Sequence, residues 1–153
     1  MFLRLYFEEI FMEYRRRFVP NGSYFFTVVT QDRIPIFSDK SAVNLLRKAF
    51  RHVMNKRPFV IDAIVIMPDH LHCIWTLPEN DSDYPTRWRL IKTYFTKNYG
   101  QKIWQHRYWE HCIRDERDFV NHVNYIHNNP VKHGFALNAE EWEHSSIHRQ
   151  NKT

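Results

Sequence analysis

Two short segments carry the side chains best suited to chemistry. His70 and His72 flank Leu71 in Met67-Pro68-Asp69-His70-Leu71-His72-Cys73-Ile74, within an apolar stretch that reads as a strand. Side chains alternate across a strand with period two, so both imidazoles leave the same face and form a ready pair of nitrogen ligands. Farther on, Tyr125 and Asn129 stand four apart in Tyr125-Ile126-His127-Asn128-Asn129-Pro130. On a helix that spacing puts a phenol and an amide oxygen on one side, where both could approach one ion. Two imidazoles and an amide oxygen leave coordination positions open for a substrate. A phenol with a pKa of about 10 attacks only when deprotonated or placed near a cation. Such a set suits in-line attack on a phosphodiester, because a divalent cation can neutralise and orient the group while a phosphotyrosine keeps the energy of the broken bond.

Each half also has an ordinary reading. A His-x-His strand can be polar decoration, a helical tyrosine can be amphipathic packing, and Asn-Asn-Pro commonly closes a helix. The combination is what argues for a site. A zinc centre built on Cys73 with His111 or Cys112 is disfavoured, because Cys73 leaves the strand on the side opposite both histidines.

The elements that must position these residues follow from periodicity. Tyr24 to Thr30 is aromatic and β-branched and reads as a first strand. From a cap at Ser38 or Asp39, Ala42, Leu45, Leu46, Ala49, Phe50 and Val53 recur at helical spacing, ending near Pro58. Phe59 to Met67 and His70 to Leu77 read as two strands joined by the Pro68-Asp69 turn. Pro85 opens a helix with Trp88, Ile91, Phe95 and Tyr99 inside, stopped by Gly100. Trp109 to Arg114 reads as a fourth strand. Asp115 then caps a helix with Phe119, Val120, Val123 and Ile126 inside, ended by Pro130. On that stripe Tyr125 lies roughly 150° from the core centre. The order strand, helix, strand, strand, helix, strand is that of an α+β, ferredoxin-like βαββαβ antiparallel sheet, followed here by an additional C-terminal helix carrying the tyrosine. The third strand is central in that topology, which would hold the His pair rigidly.

With 153 residues the chain fits a single domain, 1–153, with length enough to bury a core. Met1 to Met12 is apolar but interrupted by Arg4, Glu8 and Glu9, is too short to span a bilayer, and reads as an N-terminal extension or an upstream start. Two cysteines without paired spacing, and no secretory pattern, point to a reducing, cytoplasmic setting without membrane attachment. Twenty-two Lys and Arg against seventeen Asp and Glu give a net charge of +5, and with a pI near 9.3 this suggests a polyanionic partner. The excess concentrates between Tyr84 and Trp109, which holds Arg87, Arg89, Lys92, Lys97, Lys102 and Arg107 and no acidic residue. Trp88, Tyr94, Phe95, Tyr99, Trp104, Tyr108 and Trp109 interleave with these cations. They could include stacking platforms for unpaired bases while the cations track phosphates, although Trp88, Ile91 and Phe95 fit a core stripe. Arg15, Arg16 and Arg17 form a second basic patch.

The chain resembles the REP-associated tyrosine transposases, a branch of the HUH single-strand transposase superfamily. The resemblance covers about Tyr14 to Arg149 and rests on Tyr14-Arg15-Arg16, Gly22-Ser23-Tyr24-Phe25-Phe26-Thr27, Met67 to Trp75, Trp88-Arg89-Leu90-Ile91-Lys92, Trp109-Glu110-His111, and Tyr125 to Gly134. It implies Tyr125 as nucleophile, His70 and His72 as metal ligands, and Asn129 as a third ligand. It also implies Mg²⁺ or Mn²⁺, a 5′-phosphotyrosine intermediate and a free 3′-hydroxyl. The implied substrates are palindromic single-stranded DNA hairpins with a short guide sequence at the foot. The implied DNA-binding set includes Arg15, Arg16, Arg17, Arg87, Arg89, Lys92, Lys97 and Lys132 together with Gly22, Ser23 and Tyr24. In the family the last three are usually Gly-Thr-Tyr, and Ser23 keeps the hydroxyl. The competing expectation is a non-catalytic hairpin-binding regulator on the same fold. Both a monomer and a homodimer fit, with Tyr125 and the His pair meeting in cis or in trans.

Overall fold

The computed structural model describes residues 16–150. The Met1–Met12 extension and Arg15 lie outside the described residues. Strand β1 (Ser23–Val29) leads through two short 3-10 turns to helix α1 (Lys40–Lys56), whose first turn is capped by the Asp39 carboxylate accepting from Ser41 N. Strands β2 (Val60–Ile66) and β3 (His70–Thr76) form a hairpin about Pro68-Asp69. Helix α2 (Tyr84–Tyr99) starts with Pro85 in its first turn and an Asp83 cap, and stops at Gly100 with φ 87°. Strand β4 (Trp109–Cys112) and helix α3 (Glu116–Lys132) follow, and a short helix α4 (Ile147–Gln150) ends the described chain.

The sheet order is β2-β3-β1-β4, every neighbour antiparallel. This is the ferredoxin-like order, with β3 central and α3 added beyond the sixth element. Its two faces differ in chemistry. Tyr24, Phe26 and Val28 of β1 join Leu71, Cys73 and Trp75 of β3 in a core closed by α1 and α2, where Trp75 and Trp88 stack with centroids 4.3 Å apart. On the opposite face Phe25, Ala63, Val65, Met67 and Ile74 pack with Ile126 of α3. The free edge of β2 is covered by the C-terminal segment, through Ile66 N donating to His144 O (2.9 Å) and Ser146 N to Ile64 O (2.8 Å). Among the described residues no helix is long and apolar enough to cross a membrane.

Two expectations about α3 are corrected. The helix does not end at Pro130 but passes through it to Lys132. A proline this close to the end removes one intrahelical donor only, and the chain is closed by His133 N on Asn129 O (3.0 Å) and Phe135 N on Pro130 O (2.9 Å). Val120 is not inside: it is 46% exposed. The buried stripe instead includes the polar His127 and Asn129 beside Ile126 and Pro130, which recentres the inward face toward Tyr125. Tyr125 is half-buried and flanks the second core.

Candidate active site

The site is built on the second face. His70 and His72 leave β3 on the side facing α3, and both are buried, at 5% and 4% exposure. Each imidazole is oriented by a neighbour. Asp69 Oδ1 lies 2.7 Å from His70 Nδ1, and Thr27 Oγ1, the cross-strand neighbour on β1, lies 2.8 Å from His72 Nδ1. A carboxylate can only accept, so His70 Nδ1 carries a proton and donates it to Asp69. Burial, followed by the charges of His70, His133, Lys132 and Arg33, holds the His72 pKa well below 6.5, so this ring stays neutral. At Asp69 burial acts upward, but the His70 and Arg33 contacts outweigh it and the carboxyl pKa falls below its ordinary value.

Helix α3 brings the other half. Asn129 is fully buried with Oδ1 3.3 Å from His70 Nε2, and its Nδ2 has no hydrogen-bond partner among the described residues. The two atoms lie at a distance close to the roughly 3 Å that separates adjacent ligands of one small divalent cation. The donor set, two imidazoles and an amide oxygen, fits such an ion. The Tyr125 ring lies edge-on to His72 at 5.2 Å and to Phe25 at 5.9 Å. Burial raises its pKa above 10, and the Asn129 amide acts in the opposite direction. Tyrosine and histidines meet within one chain, so a trans arrangement is not needed to assemble this site.

Several contributors are missed by the sequence reading. Lys132, expected among the DNA-contacting residues, has Nζ 4.8 Å from the Tyr125 ring centroid, a position beside the phenol that the sequence does not display. His133 places its ring 5.3 Å from His70. Asp118 ties α3 to the sheet: its carboxylate accepts from Arg114 N (2.9 Å), meets His111 Nε2 of β4 (2.8 Å), and lies 3.1 Å from His122 Nδ1. Asp118, His122, Tyr125 and Asn129 recur at i, i+4, i+7 and i+11, a polar seam along α3 that the sequence displays once polar residues are admitted to the inward face. Cys73 lies in the apolar core away from the histidines, so no Cys–His zinc centre forms there.

The expected DNA-contacting residues divide sharply. Arg16, Arg17, Arg89 and Lys97 are exposed, and Arg16 sits 4.6 Å over the Tyr108 ring. Arg87 is not available to DNA: at 1% exposure it donates to Arg57 O, Pro58 O, Asp83 O and both oxygens of Asp81. Tyr24 is also buried, its hydroxyl accepting from Val19 N (2.6 Å) and donating to Val19 O (2.8 Å). Gly22 is required by this turn, because a Cβ there would sit 2.7 Å from Val19 O and 2.9 Å from the Tyr24 hydroxyl. Ser23 Oγ pairs with Thr76 Oγ1 at 2.7 Å. In this chain Gly22-Ser23-Tyr24 therefore shapes the loop that presents Arg16 and Arg17. Trp88, Phe95 and Trp104 are core residues and not stacking platforms, with exposures of 1%, 0% and 4%.

The central strand of this sheet thus carries a buried histidine pair faced by a helix that bears a tyrosine. No protein-family model matches the chain. It is 47% identical over 138 residues to the REP-associated tyrosine transposase of Escherichia coli (strain K12), covering 90% of this chain and 83% of that protein. A Haemophilus influenzae relative is 41% identical over 154 residues, covering 91% and 87%. A solved structure of a REP-associated tyrosine transposase bound to a REP hairpin superposes with TM-score 0.85 at 46% identity, covering 89% of this chain and 82% of that one. A Deinococcus radiodurans protein, at TM-score 0.52 and 18% identity, shares the fold. The chain belongs to the REP-associated tyrosine transposase family.

Proposed function

We propose that this protein is a metal-dependent, single-strand-specific DNA endonuclease and strand transferase acting on palindromic, REP-type hairpins through a 5′-phosphotyrosine intermediate. The observation that carries the reading is the Tyr125 ring lying 5.2 Å from His72 in the same chain, with Asn129 reaching His70 from the same helix. The solved relative in complex with a REP hairpin supports the substrate class. His70 Nε2, His72 and Asn129 Oδ1 would hold Mg²⁺ or Mn²⁺, which when bound supplies neutralisation of the phosphate oxygens.

The chain's own groups account for the remaining requirements. Tyr125 Oη, giving up its proton to solvent, attacks phosphorus in line, forming the P–Oη bond as the P–O3′ bond breaks. The electron pair stays on the 3′ oxygen, which takes up a proton from solvent so that the upstream fragment leaves with a free 3′-hydroxyl, while the downstream fragment remains on the protein through its 5′-phosphate. Burial keeps the phenol protonated at rest, and the Lys132 ammonium above the ring favours the phenolate when it forms. Asp69 keeps a proton on His70 Nδ1, and Asp69 and Thr27 each hold one imidazole in its orientation. Attack by another 3′-hydroxyl on the phosphotyrosine reverses the step and joins strands.

The test is a covalent adduct. Hairpins offered single-stranded and double-stranded, with Mg²⁺, Mn²⁺ or chelator, should give a downstream fragment linked to the protein through its 5′-phosphate, from single strands with metal only. Tyr125→Phe should bind hairpins with unchanged affinity and form no adduct, and cleavage at the parental rate would sink the assignment.

A further inference from the structure

Beside α2 lies a cleft of about 390 Å³, lined by Lys92, Thr96, Lys97, Lys102, Trp104 and His106 among others, and by no carboxylate. Three lysines without an acid partner in the wall make a strongly positive concavity. Trp104 is 4% exposed, and its indole Nε1, a donor only, has no acceptor among the described residues. A buried N–H left unpaired costs free energy, which pairing with an acceptor oxygen would recover. Lys92 points its ammonium at Gln105 O (3.4 Å) and over the Tyr108 ring (5.2 Å), and burial, then Arg16, lowers its pKa to about 8. The cleft therefore offers one neutral and several cationic donors and nothing to repel a phosphate.

Its place in the fold ties it to the site. Trp104 bridges to Thr30 just past the end of β1, and Gln105 N donates to Val29 O (3.0 Å). Val29 is the register partner of His70, and Thr30 N donates to Asp69 O (3.0 Å). Cleft and histidine pair thus lie toward the same end of the sheet, on its two layers, and exposed Arg33 pairs with Asp69 (3.2 Å) at that end. A duplex stem is too stiff to turn around that end, whereas an unpaired strand can bend across it.

We propose that this cleft is a second nucleic-acid subsite, taking a backbone phosphate of the single strand that flanks the hairpin. It rests on the single-strand DNA reading above and adds a handle on the flank, away from the reacting phosphorus.

Binding of two probes separates these ideas: a hairpin with single-stranded flanks and the same hairpin trimmed blunt, each titrated at several salt concentrations with wild type, Lys102→Gln and Trp104→Phe. Trp104→Phe removes the N–H while keeping a ring in the core, and a thermal melt on each variant confirms folding. Wild type should prefer the flanked probe. Each variant should lose about tenfold on that probe alone, and Lys102→Gln should lower its salt slope by about 0.7. Equal losses on both probes, no loss on either, or no wild-type preference for the flank would overturn the subsite while leaving the transferase reading standing. Wild type that binds neither hairpin would instead remove the reading on which the subsite rests.

Discussion

The two faces of the sheet divide one set of strands into opposite tasks. On β3, Leu71, Cys73 and Trp75 turn into an aromatic core, while His70 and His72, their immediate chain neighbours, turn toward α3 and keep lone pairs in a buried polar seam. The first face stabilises by removing apolar area from water, with Tyr24, Phe26, Trp75, Tyr84 and Trp88 packed at 0–1% exposure. The second buries the polar side chains of His70, His72 and Asn129, whose removal from water does not favour folding. One rigid layer thus supports a site that could not hold itself together, and damage to either face should read out differently.

The widest gap is expected from Trp88→Ala. Trp88 stacks on Trp75 and meets Phe26 edge-on at 5.3 Å, so truncation opens a core void and should cost about 3–5 kcal/mol. Urea unfolding would show it as a lower midpoint at unchanged slope, with adduct formation lost in step with folding. Tyr125→Phe should leave that midpoint within about 0.5 kcal/mol of wild type while removing adduct entirely. If Trp88→Ala kept its midpoint, the aromatic face would not be the scaffold.

This division also explains what the sequence displays. Alternation placed the histidines on one side and Cys73 on the other. Asp39, Pro85, Gly100 and Asp115 mark helix ends by local chemistry that needs no tertiary partner. What stayed hidden depends on residues far apart in the chain. Arg87 looks like a surface cation until the Arg57 and Pro58 carbonyls, about thirty residues earlier, turn to receive it. Tyr24 looks like a recognition residue until its strand face and the Val19 turn are known. The centre of α3 shifts because hydrophobicity alone puts Val120 in the core stripe and leaves the polar His127 and Asn129 out of it, whereas both are buried and Val120 is exposed. A helix that serves a buried polar site breaks the rule by which inward faces are read.

Acidity gives a second way to sharpen the comparison. Glu110 of β4 pairs in register with Phe26 on the core face, is 1% exposed, and burial pushes its pKa up to about 7. The folded carboxyl prefers its proton relative to the unfolded value of 4.5, so its contribution to stability is present below pH 4.5 and lost as pH rises through 7. The loss amounts to about 3 kcal/mol. Urea midpoints at pH 4.5–8.5 should show this decline for wild type, and Glu110→Gln, which cannot ionise, should flatten it. An identical decline in Glu110→Gln would assign the effect to another group.

The smallest expected effect lies in the support beneath the histidines. Asp69 accepts from His70 Nδ1 and pairs with exposed Arg33, yet neither belongs to the α3 half of the site. Asp69→Asn keeps the shape of the side chain and removes its charge. The His70 tautomer is then no longer held by a carboxylate, and its Nε2 becomes a weaker base. Mn²⁺ affinity, measured by titration calorimetry without DNA, should fall by 10- to 100-fold, roughly 1.4–2.8 kcal/mol, with the urea midpoint nearly unchanged because the Arg33 pair is solvated. Adduct formation should be restored toward the wild-type rate by raising Mn²⁺, which Tyr125→Phe should never show. A loss that excess metal fails to rescue would mean that Asp69 acts on the reaction or the fold directly, and the orienting role assigned to it here would have to be withdrawn.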